Sequence, residues 1–216
     1  MPASHPPSSD HFKKIPPAEQ ERILEICLAE FAEHGYTLAS TNTIVKKADI
    51  PKGTLFYYFG RKKQLFLYLI DHAVKTYAAE VENKLQHLPD DLFERLLVMH
   101  KTRLKFVGQH PLIYKLLFNA FIHTPEALIP ELQERIKGYR QQSIDRRTAG
   151  LDRTKFKDGV DVEQAVEMVT LLAEGLFNRI LGRLQKASPS ESLQLVEQLA
   201  ADMAQYFTYI KQGIYK

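Results

Sequence analysis

The stretch Ser40–Phe66, STNTIVKKADIPKGTLFYYFGRKKQLF, constrains the chain more than any other. Ser40 is placed to cap a short helix whose Ile44, Val45 and Ala48 face inward. Asp49-Ile50 forms a turn, and Pro51 opens a second short helix that Gly60 closes after Phe59. From Lys62 a longer helix follows, with Leu65, Leu69, Ala73, Tyr77, Val81 and Leu85 on one stripe to about His87. Six basic residues (Lys46, Lys47, Lys52, Arg61, Lys62 and Lys63) stand against one acid, Asp49, so this stretch carries more positive charge than the whole chain's +3.

The rest of the chain is helical in pattern. A helix starts after Ile15-Pro16-Pro17, carries Ile23, Cys27, Ala29, Phe31 and Ala32 at helical spacing, and ends at Gly35. Further helices are expected over 91–107, 112–122 and 126–147. Another follows an Asp161/Gln164 capping box to about Lys186, and a last one follows a Ser188-to-Glu191 box. No segment alternates at period two. The expected fold is all-α with about nine helices: a disordered tail over 1–14, a three-helix helix-turn-helix domain over 15–61, and a helical domain over 62–216.

Two short helices joined by a tight turn, with a third before them, suit a unit whose second helix enters the DNA major groove. Ile44, Val45, Ile50 and Leu55 would fix the angle between them. Lys52, Gly53 and Thr54 crowd the leading end of the reading helix, Tyr57 and Tyr58 supply phenolic donors, and Lys62 and Lys63 stand where a helix dipole favours phosphate. Lys52 and Tyr57 are the leading candidates for base discrimination. Lys46 and Lys47 read equally well as a solvated face.

The pieces FAEHGY, PKGTLFYYF and GRKKQLF, with Ser40 four residues before Ile44, resemble the DNA-binding domain of the TetR family of bacterial transcriptional regulators. The resemblance implies a cytoplasmic homodimer on a pseudo-palindromic operator, most often a repressor released by a small molecule bound in the C-terminal domain. It implies phosphate contacts from Ser40 and Thr41. Lys52, Gly53 and Thr54 would approach bases, Phe56 and Tyr57 would face the groove, Tyr58 and Lys62 would meet the backbone, and Phe59 would be core. Two positions depart from the family pattern. Asp49 stands where glycine is usual, in a turn that can need a left-handed backbone. Pro51 stands where a serine cap is usual, and it cannot cap.

By family position an effector would lie among the helices after Lys62. Phe106, Tyr114, Phe118, Phe121, Ile122, Tyr139 and Phe177 are candidate walls, and His100, Arg103, Asn119, His123, Glu174 and Asn178 candidate polar contacts. The effector implied is small and largely apolar or aromatic. Glu174 lies inside VTLLAEGLFNRIL, and a buried acid needs a partner. Arg179, Arg183, the dimer interface or a ligand donor could each supply one. On the last two helices, Leu176, Ile180, Leu181, Leu184, Leu195, Leu199, Met203 and Tyr206 exceed what one intramolecular face needs, which points to a dimer interface. Gly175 and Gly182 would admit a close helix there.

Other classes find little support. Cys27 is the only cysteine and reads as a buried small hydrophobe. The N-terminal MPASHPPSSDH lacks the features of a signal peptide, and no segment approaches the roughly 20 apolar residues of a membrane span. No HExxH, GxGxxG, GxSxG or Cys–His signature occurs and the eight histidines are scattered, so neither an enzyme nor a metal or cofactor site is expected. The alternative function is a DNA-binding regulator with no small-molecule effector, constitutive or controlled by a partner protein.

Overall fold

A computed structural model describes residues 9–122, 125–184 and 189–216. Among them are ten α-helices: α1 (Ser9–Phe12), α2 (Pro17–Leu38), α3 (Thr41–Ala48), α4 (Lys52–Phe59), α5 (Lys62–Tyr77), α6 (Leu92–Gln109), α7 (Pro111–Ile122), α8 (Ile129–Thr148), α9 (Val162–Leu184) and α10 (Pro189–Ile214). The described residues hold no strand, only a single antiparallel bridge between Phe156 and Tyr215. None of these helices is long and apolar enough to cross a membrane. The described residues form two compact units, one within Met1–Tyr77 and Leu112–Lys137, the other within Ala78–Pro111 and Gly138–Lys216. Helix α5 therefore belongs to the N-terminal unit rather than opening the second domain at residue 62.

In the first unit, helices as short as α3 and α4 are marginal alone and hold through a shared core. Ile23, Cys27, Phe31, Ile44, Ala48, Leu55, Phe59, Leu65, Phe66 and Leu69 are all buried. Val45 and Ile50, expected in that core, are only half-buried. Burial pushes the Cys27 thiol up to about 12, which makes it an inert packing residue. Gly35 breaks α2 with φ 63° and ψ −179°, a conformation essentially reserved for glycine. The Arg22 guanidinium donates to the Ala48 carbonyl at 2.8 Å and ties α2 to the end of α3. Asn119 of α7 donates to the Ala32 carbonyl at 2.8 Å, and Arg135 of α8 pairs with Asp71 at 3.0 Å.

The reading of residues 1–14 as a disordered tail fails over 9–12. Those residues form α1, and Phe12 is wholly buried, its ring 4.5 Å from that of Phe59 and 5.5 Å from that of Tyr58. A lone aromatic in a Pro- and Ser-rich segment has no periodicity to announce it.

The second unit departs from expectation at its start. The stripe expected to continue to His87 leaves α geometry at Ala78, passing through a π turn (Ala78–Glu82) and a 3-10 turn (Asn83–Leu85). Val81 and Leu85 are nonetheless buried. Asp91 caps α6 by accepting the Phe93 and Glu94 N–H groups at 2.9 and 3.2 Å and is paired with Lys211. Although burial opposes it, these bonds hold its carboxyl below the ordinary range. Asp161 caps α9 through the Gln164 N–H at 3.0 Å, as its capping box predicts.

The expected dimer face is largely this unit's own core. Leu176, Ile180, Leu181, Leu195, Leu199 and Met203 are all buried within the chain. Only Tyr206 of that set is exposed, and the side chain of Leu184 lies outside the described residues. Period 3.6 identifies which residues share a stripe, but not whether the partner is the same chain or another.

Candidate nucleic-acid interface

The candidate interface is built on α3, its turn and α4. Ser40 caps α3, its Oγ accepting the Thr43 N–H at 3.3 Å while its own N–H donates to Glu30 at 3.0 Å. Glu30 is buried, and its other carboxylate oxygen lies 3.7 Å from Lys47. Asp49 ends α3 at φ 49° and ψ 48°, the left-handed conformation its position demands and one that Asp tolerates better than most residues. Pro51 sits at the N-cap of α4 with no side-chain cap. The Thr54 and Leu55 N–H groups reach the Pro51 carbonyl, which leaves the leading amides of α4 to an outside acceptor.

Around that end the surface is open. Lys52 and Gly53 are exposed, and a Cβ on Gly53 would meet nothing. The Lys52 ammonium lies 5.8 Å from the Phe56 ring centroid. Tyr57 is the most exposed aromatic of the helix, at 55%. Thr41, Thr54, Phe56 and Tyr58 are half-buried, and Phe59 is core. Ser40 through Tyr58 thus lie on one helix-turn-helix. The Lys62 ammonium, expected at the DNA backbone, donates to the Thr37 carbonyl at 3.0 Å and sits 5.1 Å from the Tyr36 ring centroid. Partial burial lowers its pKa, against the pull of Glu30. Lys62 therefore secures the end of α2, a tertiary role that local spacing does not reveal. Sequence reasoning also missed Glu30, whose only signal was an acid on the apolar side of an amphipathic helix, and the α1 residues against α4.

The residues expected to form a ligand site divide between the two units. Tyr114, Phe118 and Asn119 belong to the first, where Tyr114 is buried and Asn119 is bonded to Ala32. In the second, His100, Arg103, Glu174 and Phe177 come together. Arg103 donates to both Glu174 carboxylate oxygens at 2.9 and 2.7 Å and stacks over the Phe177 ring at 4.0 Å. Neither Arg179 nor Arg183 is the partner of Glu174; Arg179 pairs with Asp202. Asn178 is exposed rather than pocket-lining. His123 lies outside the described residues, as do the side chains of Phe121, Ile122 and Tyr139.

The His100 Nδ1 lies 2.8 Å from the Leu96 carbonyl, which can only accept, so that nitrogen carries the proton. Burial lowers the His100 pKa and keeps the ring neutral, leaving Nε2 as an acceptor. That Nε2 is buried with no hydrogen-bond partner, its nearest carboxylate oxygen being on Glu174 at 3.8 Å. Thr170 Oγ1, which sequence reading did not single out, is likewise buried and unpartnered.

Burial works to raise the Glu174 pKa, but the Arg103 charge and hydrogen bonds outweigh it and hold the carboxyl below its ordinary value. A depressed folded pKa gives stability that is fully present above the unfolded value of about 4.3 and is lost as pH falls through the folded one. Glu174→Gln should therefore cost roughly 1–2 kcal/mol at pH 7 and flatten the acid limb of the stability curve below about pH 4.5. Thermal unfolding across pH 3–7 reads both effects.

Comparison with known proteins agrees with this geometry. Residues 23–69 match the profile of the tetR family of bacterial regulatory proteins. The HTH-type transcriptional repressor SCO4008 of Streptomyces coelicolor is 27% identical over 161 residues, covering 73% of this chain and 78% of that protein. The crystal structure of a TetR family transcriptional regulator from Chloroflexus aurantiacus aligns with TM-score 0.70 at 21% identity, covering 96% of this chain and 98% of that one. FadR from Bacillus subtilis, crystallised in complex with stearoyl-CoA, aligns with TM-score 0.56 at 18% identity, covering 83% of this chain and 97% of that one. At these identities the two structures speak for the fold alone.

Proposed function

We propose that this chain, whose residues 23–69 match the tetR family profile, is a cytoplasmic transcriptional repressor of that family that binds a pseudo-palindromic operator as a homodimer and is released by a small, largely apolar effector. The observation that carries this reading is the exposed leading surface of α4, with Lys52, Gly53 and Tyr57 outward on a helix whose inner side is core. Two such helices, one from each protomer, would reach half-sites about 34–36 Å apart. Selection of bound sequences from a random duplex pool tests it: a palindrome should be recovered. Lys52→Ala should weaken binding to that duplex about tenfold. Lys62→Ala should also lower thermal stability, because its ammonium bonds the Thr37 carbonyl. Recovery of no preferred sequence would contradict the proposal.

With the expected leucines buried inside the chain, the dimer contact is assigned to the outward stripe of α9. Met168, Leu171, Gly175, Asn178 and Gly182 recur every three or four residues, and Met168 and Leu171 are 47% and 66% exposed. A Cβ on either glycine would meet nothing, which leaves room for a facing helix. Tyr206 and Tyr209 of α10 are also exposed. Leu171→Glu should give a folded monomer by sedimentation. Leu181→Glu, which buries a charge in the core, should unfold the unit instead.

The buried, unpartnered His100 Nε2 and Thr170 Oγ1 support an effector that brings a hydrogen-bond donor into apolar surroundings. A relative of the same fold carries stearoyl-CoA, consistent with a largely apolar ligand. Thermal unfolding against a panel of lipophilic alcohols, amides and acyl thioesters separates this reading from a regulator without effector. A stabilising compound that also weakens DNA binding supports release, and silence across the panel favours the alternative.

A further inference from the structure

The residues assigned to the reading surface all lie between Ser40 and Lys62, yet the ring resting on the most exposed aromatic among them comes from the N-terminal segment. His11 stacks on Tyr57 with centroids 4.4 Å apart and planes 28° apart, and the Tyr57 Oη lies 2.9 Å from the His11 Nδ1. The next residue, Phe12, is wholly buried among Phe59, Tyr58 and Tyr68.

We propose that His11 is a positioning residue of the DNA-reading surface: it fixes the Tyr57 ring, so that the unit meeting duplex DNA is the His11–Tyr57 pair rather than Tyr57 alone. The inference rests on the DNA-binding reading of this domain. A tyrosine exposed on an eight-residue helix must otherwise give up rotamer freedom when it binds, and a ring stacked and hydrogen-bonded in advance does not. Phe12 anchors the backbone of His11 beside α4, so that the stack and the hydrogen bond have only the imidazole's own rotamers left to fix. The pair is thus a composed surface and not a lid over α4.

Its chemistry follows from the hydrogen bond. If the Tyr57 hydroxyl donates to Nδ1, the neutral imidazole carries its proton on Nε2 and that N–H remains a donor. If Nδ1–H donates to the hydroxyl oxygen, the phenolic O–H remains one. Either tautomer leaves one donor for an acceptor on the duplex, a phosphate oxygen or a base-edge atom such as purine N7 or thymine O4.

The test uses the full-length protein and the duplex it selects from a random pool. Binding of wild type, His11→Ala, Tyr57→Ala and the double variant is measured on that duplex and on an unrelated one. His11→Ala should weaken the selected duplex about tenfold and the unrelated duplex less than about twofold if the acceptor is a base edge, or both duplexes alike if it is a phosphate. In either case the double variant should bind no more weakly than Tyr57→Ala alone. Because His11 is only half-buried, its variant should keep the wild-type circular dichroism and melting temperature. Additive losses, an unchanged His11→Ala, or tighter binding by it would overturn the proposal, the last by showing a lid. Failure of the wild type to bind any duplex would sink the DNA-binding reading itself, so the wild-type arm separates the two failures.

Discussion

Phe12→Ala should cost about 3–5 kcal/mol, the range for removing a fully buried phenyl ring. The ring is 0% exposed and lies within 4.5–6.1 Å of the Phe59, Tyr58 and Tyr68 rings. Its loss would leave either a cavity beside Phe59 or a detached α1, and the cheaper outcome sets the cost. Trypsin distinguishes them because Lys13 and Lys14 directly follow the anchor and are exposed. Faster cleavage there, with a modest fall in melting temperature, indicates detachment. A large fall in melting temperature with no new cleavage indicates a cavity. Phe12→Leu, which refills most of the volume, should recover more than half of the loss. A variant indistinguishable from wild type in both measurements would mean that α1 contributes nothing to the domain.

What the sequence made legible here was local chemistry. Ser40, Asp49 and Gly60 act within a few residues of themselves, through a cap, a left-handed turn and a helix end. Their roles in the structure match the ones residue type predicts. The same holds for Asp161 and Gln164 at the start of α9. What was not legible depends on partners remote in sequence. Glu174 meets Arg103, 71 residues away, rather than the arginines on its own helix. Lys62 meets the Thr37 carbonyl, and Phe12 meets an aromatic cluster some 46–56 positions on. The stripe on α9 shows the limit most clearly. Leu176, Ile180 and Leu181 were identifiable as a buried face, but spacing is silent on whose surface buries them. The opposite stripe, with two glycines and two exposed apolar residues, was legible only once the core was known.

These remote contacts also show where the two units spend their polar groups. In the first, Glu30, Arg22 and Lys62 each bond a backbone group near a helix end and so fix the frame that holds α4. A reading helix gains from such fixation because a protein that binds DNA with its side chains already placed loses less freedom on binding. The exposed groups of α4 can then be few, and substitutions that alter DNA binding without altering stability should map to Lys52, Gly53 and Tyr57, together with His11 against Tyr57.

Arg95→Ala should destabilise the second unit by about 3 kcal/mol, since it strands several acceptors at once. Arg95 is buried on α6, and its guanidinium donates to four carbonyls: Pro89 at 2.7 Å, Arg146 at 3.1 Å, Ala149 at 2.6 Å and Gly150 at 3.4 Å. Three of these lie at or just beyond the end of α8, where helical carbonyls have no partner within the helix. The positive charge also meets the negative end of that helix's dipole. Burial lowers the arginine's pKa, with Asp90 opposing, yet an arginine so placed stays charged throughout the accessible pH range. Arg95→Lys should recover less than half of the loss, because an ammonium has three donors on one atom and cannot span carbonyls approached from three nitrogens. Arg95→Met, which keeps the stem's volume, should be nearly as damaging as alanine, and that comparison isolates the hydrogen bonds from the packing. Hydrogen exchange should show the loss first in the last turn of α8. A variant that melts like wild type, with that turn still protected, would show that other groups satisfy these carbonyls.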